Sequence, residues 1–373
     1  MVGRQPPGRV TARPACTGGG EPPQRDARAG AERRLPAALA LVCMLAACGR
    51  AEQVVVYTPL DTDALAWVES SFETANPHTD LRLIPVAPGD LIPRLESHRD
   101  APEADAVWGA PSWVLARAAG RGLLAETAPL WATAVPGAWK DPGGRWVGVS
   151  VDPVVFAVNH DSVSLGRAPR DWIDLFHPRW TDRVLVPEPG ASETGSAILG
   201  TRAAESMEAY GDVLDAVDWF RRLDGVRSAY GDDDVELVRT LARGRAAVAL
   251  VPLSVAQAAV EDSLPVAWVV PESGGPVVVR GVARVAGAPD PEAAGRFLAW
   301  LGSPDVAVGM EAKLRRKPAW VAPEDALPEW LARAWTGFTP RDVSADTLAA
   351  HLDGWVSTWR SEARGRGMRV LIP

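Results

Sequence analysis

The chain has 373 residues, 47% of them hydrophobic and 23% charged, which is ordinary for a globular protein and long enough for two core-bearing lobes. Its net charge is −8, becoming −12 once the first 48 residues, with seven Arg and three acidic side chains, are set aside; so acidic a body argues against nucleic acid as a partner. All three cysteines (Cys16, Cys43, Cys48) lie in that leader, which excludes disulfides, thiolate metal sites and a cysteine nucleophile from the rest.

Residues 1–32 are rich in Pro, Gly and Arg and lack apolar periodicity, so they contribute no folded element. Arg33-Arg34 then precede an apolar run, Leu35 to Cys48, too short for a comfortable membrane span and built like a signal peptide. Its end, Leu45-Ala46-Ala47-Cys48, resembles the lipobox of bacterial lipoproteins, which implies cleavage before Cys48 and a lipid anchor on its thiol. A plain secretory signal with a chance cysteine is the alternative. The long stretch before Arg33 suggests a start codon placed too early.

Beyond the leader, Gln53–Tyr57 reads as a buried strand. Asp61 or Thr62 can cap the helix that follows, with Leu65, Val68 and Phe72 on one face. A strand over Leu81–Val86, a short helix near Leu91–Ser97, a strand at Ala106–Trp108 and a helix from Ser112 to Ala119 come next. Strands alternating with helices at this spacing predict an α/β lobe with a mostly parallel sheet. Arg145–Asn159 is a long extended stretch broken by Pro153, which predicts a strand pair or a crossover between lobes rather than one central strand. Ala168–Trp180 predicts a short amphipathic helix between prolines.

The segment Val186–Gly195 (VPEPGASETG) reads as a strand end, a stiff turn and a helix start capped by Ser192 or Thr194. A helix N-terminus carries free N–H groups and a positive partial charge, so it suits an anion; an ordinary capped connection is the alternative. Helices follow near Thr194–Ala204, Val213–Leu223 and Val235–Ala242, then strands at Ala246–Val251, Val266–Val270 and Val277–Val285. A helix opens at Asp290-Pro291, with Phe297, Leu298 and Leu301 on one face. The tail carries Trp320, Trp330, Trp335, Trp355 and Trp359 at helical spacing, which predicts core rather than binding surface.

Taken together, VVVYTPLDTD, ADAVWGAPS, PRDWIDLFHPRW, VPEPGASETGS and DPEAAGRFLAWLGSPD, in that order over roughly Gln53–Met310, resemble the bacterial extracellular solute-binding proteins of ABC importers, in the ferric iron, thiamine and phosphonate branch. The resemblance implies a two-lobed periplasmic-binding-protein fold of type II character, each lobe a mostly parallel sheet with flanking helices and a hinge between them. The chain is expected to divide into a leader (1–48), a first lobe (49–150), a second lobe (151–270), a return to the first (271–320) and a Trp-rich helical segment (321–373), the last outside the stretch that carries the resemblance. The resemblance implies a small-molecule solute, an ABC permease and membrane lipid through Cys48 as partners, no nucleic acid, and no cofactor.

Four turns after strands should face the cleft: Thr58–Asp61, Gly109–Ser112, Ser192–Ser196 and Pro252–Ser254. A fifth candidate is Tyr230 with Gly231–Asp234. The expected ligand-binding residues are Thr58, Asp61, Ser112, Ser192, Thr194, Gly195, Ser196, Tyr230, Asp232 and Ser254. For Asp61 and Asp232–Asp234, capping and solvation are the alternative. Ferric-binding relatives carry a tyrosine pair where this chain has Ser254-Val255, so tyrosinate iron binding is not expected. The solute is therefore expected to be small and anionic or zwitterionic, such as a phosphonate or phosphate ester, with a hard metal ion left open. The histidines (His78, His98, His160, His177, His351) form no i, i+4 pair, and neither a G-x-S-x-G elbow nor a phosphate loop is present, so a hydrolase is the weaker reading. A solute sensor docking on a membrane receptor, or a ferric iron-binding protein without the tyrosine pair, is a further alternative.

Overall fold

The computed structural model describes residues 52–60, 64–320 and 327–368; the leader, Cys48 and Asp61 lie outside them. The first strand, β1 (Glu52–Thr58), pairs in parallel with β2 (Thr79–Pro85) and with β3 (Ala106–Pro111). The connecting helices are α1 (Ala64–Ala75) and α2 (Pro88–Ser97), with α3 (Ser112–Gly120) after β3. Val68 and Phe72, one turn apart on α1, are fully buried, which is the apolar face that ties this helix to the sheet. A short strand, β4 (Leu124–Ala125), follows.

The long extended stretch is one strand, β5 (Val147–Asn159), buried along its whole length. Its first half pairs antiparallel with β10 (Val277–Val285), itself antiparallel to β3. Its second half pairs antiparallel with β8 (Val248–Pro252) and β9 (Val266–Val269). Of the two expectations the crossover holds, since β5 passes from one sheet to the other, and the strand pair is corrected: the stretch is one continuous strand. Pro153 stands at the seam, where pairing to β10 ends at Val277 and pairing to β8 begins at Val154, so its missing N–H interrupts neither ladder.

The second sheet continues from β8 in parallel to β6 (Val184–Pro187) and on to β7 (Arg227–Gly231), giving the order β2-β1-β3-β10-β5-β8-β6-β7. Each sheet is thus parallel through three strands and antiparallel where the crossing strands join it. The helices of this half are α4 (Glu193–Tyr210), α5 (Leu214–Val226), α6 (Asp234–Ala242) and α7 (Leu253–Glu261). The amphipathic helix expected over 168–180 is instead a pair of 3₁₀ turns, Trp172–Phe176 and Pro178–Trp180. Asp171 and Asp174 close a capping box around the first, and Pro178 stops it before an α-helical turn can propagate.

After β10, α8 (Pro291–Trp300) and α9 (Pro304–Leu314) return to the first sheet, where Phe72, Trp108 and Phe297 pack edge to face. The short strand β11 (Lys317–Pro318) joins β5. Two helices follow, α10 (Glu329–Trp335) and α11 (Ala345–Glu362). Trp355 and Trp359 are buried on α11 against α4 and α5 residues. Among the described residues no helix is long and apolar enough to cross a membrane.

Candidate functional site

Between the two sheets lies a cavity of about 1050 Å³, at the upper end of the size of small-molecule sites. It sits where the strands end and the helices begin, so helix N-termini from both halves reach it. Pro88 and Gly89 of α2, Trp113 and Val114 of α3, Ser192 and Glu193 around the start of α4, Asp233 and Asp234 around the start of α6, and Val255 of α7 all line it. Two of these helices are capped by the chain: Ser192 Oγ accepts from the Gly195 N–H (3.2 Å), and the Asp233 carboxylate accepts from the Val235 and Glu236 N–H groups (2.8 and 3.1 Å). The other three have Ala87, Pro111 and Pro252 at the cap position, with no side-chain cap. At α7 the Ser254 N–H is taken by the Asp152 carboxylate (3.1 Å), whereas the first-turn amides of α2 and α3 have no side-chain acceptor and are left for something other than the helix itself.

Arginines supply the matching positive charge. Arg117, Arg121, Arg280, Arg316 and Arg360 line the cavity. Arg280 projects from β10 into an ion pair with Glu193 at the start of α4, joining the first sheet to the second half of the molecule. Arg316 meets Asp152 at 3.6 Å, next to the Pro153 seam of β5. Asp152 is buried and also accepts from the Ser254 N–H (3.1 Å) and the Ser254 hydroxyl (2.5 Å). Burial, reinforced by the like charge of Arg280, pulls the Arg316 guanidinium down to about 10, so it remains a cation at neutral pH. Burial raises Asp152 despite these partners. The Nε group of Arg280 is buried without a hydrogen-bond partner, and such an unspent donor is costly unless something accepts from it; that of Arg316 faces Asp152 at ion-pair distance.

The sequence-predicted residues divide. Ser192, Ser196 and Asp232 line the cavity. Thr194 is fully buried, and its hydroxyl donates to Asp234 Oδ2 at 2.6 Å; Ser192 Oγ donates to Asp234 Oδ1 at 3.3 Å. Burial first, and the Glu193 charge against these hydrogen bonds, push Asp234 up to about 7. The α4 start thus already holds one of the protein's own carboxyls. Gly195 is a packing position: a Cβ there would lie 2.5 Å from the Pro187 carbonyl oxygen. Ser196 Oγ donates to the Ser192 carbonyl (2.8 Å) and accepts from the Gly190 N–H (3.0 Å), fixing the turn.

Thr58 and Ser112 are buried beneath the neighbours that do line the cavity, Pro59 and Leu60 in one case and Pro111 and Trp113 in the other. Thr58 Oγ1 accepts from the Leu60 N–H at 3.3 Å. Ser254 lies under Val255, its hydroxyl committed to Asp152. Tyr230 stands apart from the cavity, donating its hydroxyl to Asp224 (2.9 Å) and packing edge-on to Trp359; burial and Asp224 raise its pKa.

What sequence reading missed is the charged floor: Asp152, Glu193, Arg280 and Arg316. A signal was present for two of these. Asp152 is the one charge inside VGVSVDPVVFAVN, and Arg280 is one of two, with Arg284, inside VVVRGVARV, runs that otherwise read as buried strand. Among the described residues no three His, Cys, Asp or Glu side chains gather as a metal-binding group.

Comparison with known proteins agrees with this architecture. Residues 112–338 match the family model described as "Bacterial extracellular solute-binding protein". The chain is 27% identical, over 88% of its length and 91% of the relative's, to the "Probable ABC transporter periplasmic-binding protein y4fP" of Sinorhizobium fredii. It shares the fold of iron-bound HitA from Pseudomonas aeruginosa (TM-score 0.70, 19% identity, covering 83% of this chain and 99% of that one). It shares it equally with AfuA from Actinobacillus pleuropneumoniae, solved with fructose-6-phosphate bound (TM-score 0.70, 20% identity, 84% and 99%). A family match over more than half of the chain, on a fold with an interlobe cleft, leads to one conclusion: this chain belongs to the bacterial extracellular solute-binding proteins.

Proposed function

We propose that this solute-binding protein captures a small anionic or zwitterionic solute of the phosphate-ester or phosphonate class and presents it to an ABC permease, held at the membrane through lipid on Cys48. The observation that carries the reading is the convergence of two helix N-termini without a side-chain cap, those of α2 and α3, and five arginines on one cavity. Amides at a helix start and guanidinium groups are the donors that oxyanions accept from best. With Asp233 spent on the α6 cap and Asp353 on Arg117, Asp232 on the same wall suits an ammonium or hydroxyl pole, which favours a ligand with two unlike ends. The structural relatives bracket the choice, since AfuA carries a sugar phosphate and HitA carries iron. For this chain the anion is the better supported of the two, because guanidinium groups line the cavity and Ser254 stands where a tyrosine would be needed.

Lobe closure about β5 and β10 would bury the solute and complete its donors. Thermal unfolding with fructose 6-phosphate, 2-aminoethylphosphonate, inorganic phosphate and ferric citrate tests the reading. At about one hundred times the dissociation constant a true ligand adds about 2.7 kcal/mol of stability. We expect a phosphorylated or phosphonate probe to do so; stabilisation by ferric citrate alone would overturn the proposal in favour of iron.

A further inference from the structure

We infer that the C-terminal helix α11 is a third wall of the ligand site and that Arg360 on it contacts the bound anion, determining specificity. The inference rests on the anionic-solute reading above. Helix α11 lies beyond residues 112–338, the stretch matched by the family model, yet four of its side chains (Leu352, Asp353, Val356 and Arg360) line the same cavity as α2, α3 and α4.

The helix is held there by both halves of the protein. Arg117 of α3 donates to the Ala349 carbonyl (3.2 and 3.3 Å) and pairs with Asp353 (3.2 Å). On the other side, Leu348, Leu352, Val356 and Trp359 enter the core beneath α4 and α5. Two glycines make that approach possible. A Cβ at Gly200 would lie 2.3 Å from a Leu348 methyl, and one at Gly190 would lie 2.7 Å from a Val356 methyl. Gly190 also adopts φ +83°, a backbone conformation that only glycine takes without strain. The turn that feeds α4 is therefore shaped to receive α11, and it brings an Arg360 guanidinium nitrogen within 3.5 Å of the position of that Gly190 Cβ.

Charge pairing singles out this arginine. Of the cavity's guanidinium groups, Arg117 is paired with Asp353, Arg121 with Glu96, Arg280 with Glu193 and Arg316 with Asp152. One turn further along, Arg364 is paired with Glu188 at 2.9 Å. Among the described residues Arg360 forms no ion pair. It is exposed on the cavity wall beside the start of α4, free to take a planar, bidentate oxyanion without first breaking a contact.

The test is calorimetric titration of the full chain with whichever of fructose 6-phosphate and 2-aminoethylphosphonate stabilises the parent protein. Arg360→Gln should weaken binding by about tenfold or more, with the melting temperature of the ligand-free protein unchanged. Arg360→Lys should recover part of the loss. Arg170→Gln, which makes the same change in net charge at a residue outside the cavity, should bind as the parent does. Binding by Arg360→Gln within about twofold of the parent, or a loss matched by Arg170→Gln, would overturn the inference while leaving the anionic-solute reading standing. Failure of both probes to bind the parent would overturn that reading, and the inference with it, before any variant is compared.

Discussion

Asp234 offers the most quantitative test of the cleft electrostatics. Its carboxyl is closed in by the Thr194 and Ser192 hydroxyls beside Glu193, and burial lifts its pKa to about 7 from 3.8. Between those two values the folded protein keeps a proton that the unfolded chain releases, so stability falls as pH rises from about 4 to about 7. At 1.36 kcal/mol per pKa unit the full effect would be about 4 kcal/mol; because Asp234 keeps some solvent-exposed surface, we expect about half of it, near 2 kcal/mol. Asp234→Asn keeps the shape and loses the titration. The variant should match the parent near pH 4.5 and exceed it by about 2 kcal/mol at pH 8, which for a folded body of this size is a melting-temperature gain of roughly 3 °C. Asp105, Asp152 and Asp342 are raised in the same direction and Asp141 is lowered, but all four are common to both proteins and cancel in the difference. Urea unfolding at half-unit pH steps measures it. Parallel parent and variant curves from pH 4.5 to 8 would refute the reasoning.

Other perturbations test separate parts of the structure. Asp152→Ala leaves Arg316 buried beside Arg280 with its partner removed, so stability should drop by about 3–5 kcal/mol and Arg316→Met in the same background should restore much of it; urea midpoints of the two variants decide this. Gly195→Ala places a methyl against the backbone of the Pro187–Pro189 turn and should cost about 2 kcal/mol or more, seen as a lower melting temperature. Glu193→Gln removes one charge of the pair that ties α4 to β10, and small-angle scattering of the ligand-free protein should show a larger radius of gyration; an unchanged radius would mean that the pair does not restrain opening.

Much of the architecture was legible in the chain because its signals are local. Val68 and Phe72 on α1, the Asp290-Pro291 start of α8 and the run Val277–Val285 each announce their element within a few residues. The crossing strand was harder to read. Pro153 argues against a central strand until one knows that the sheet changes partner at that residue, a fact set by β8 and β10 roughly a hundred residues away. The site shows the same division. Ser192, read from a capping pattern, and Ser196, read from a turn after a strand, do reach the cavity, whereas the pairings of Arg280 with Glu193 and Arg316 with Asp152 join distant segments and leave no spacing to detect. The Thr194 hydroxyl serves Asp234, and a buried hydroxyl of that kind reads, one residue at a time, like one that serves a ligand.

The central claim is that an anionic solute sits among the uncapped helix starts of the interlobe cavity. It is tested most directly by a crystal structure of the protein purified from its own cells with its solute still bound. We predict an oxyanion within hydrogen-bonding distance of the first-turn amides of α2 or α3 and of a cavity arginine. A solute bound outside this cavity, or a cation held there by carboxylates alone, would contradict the account.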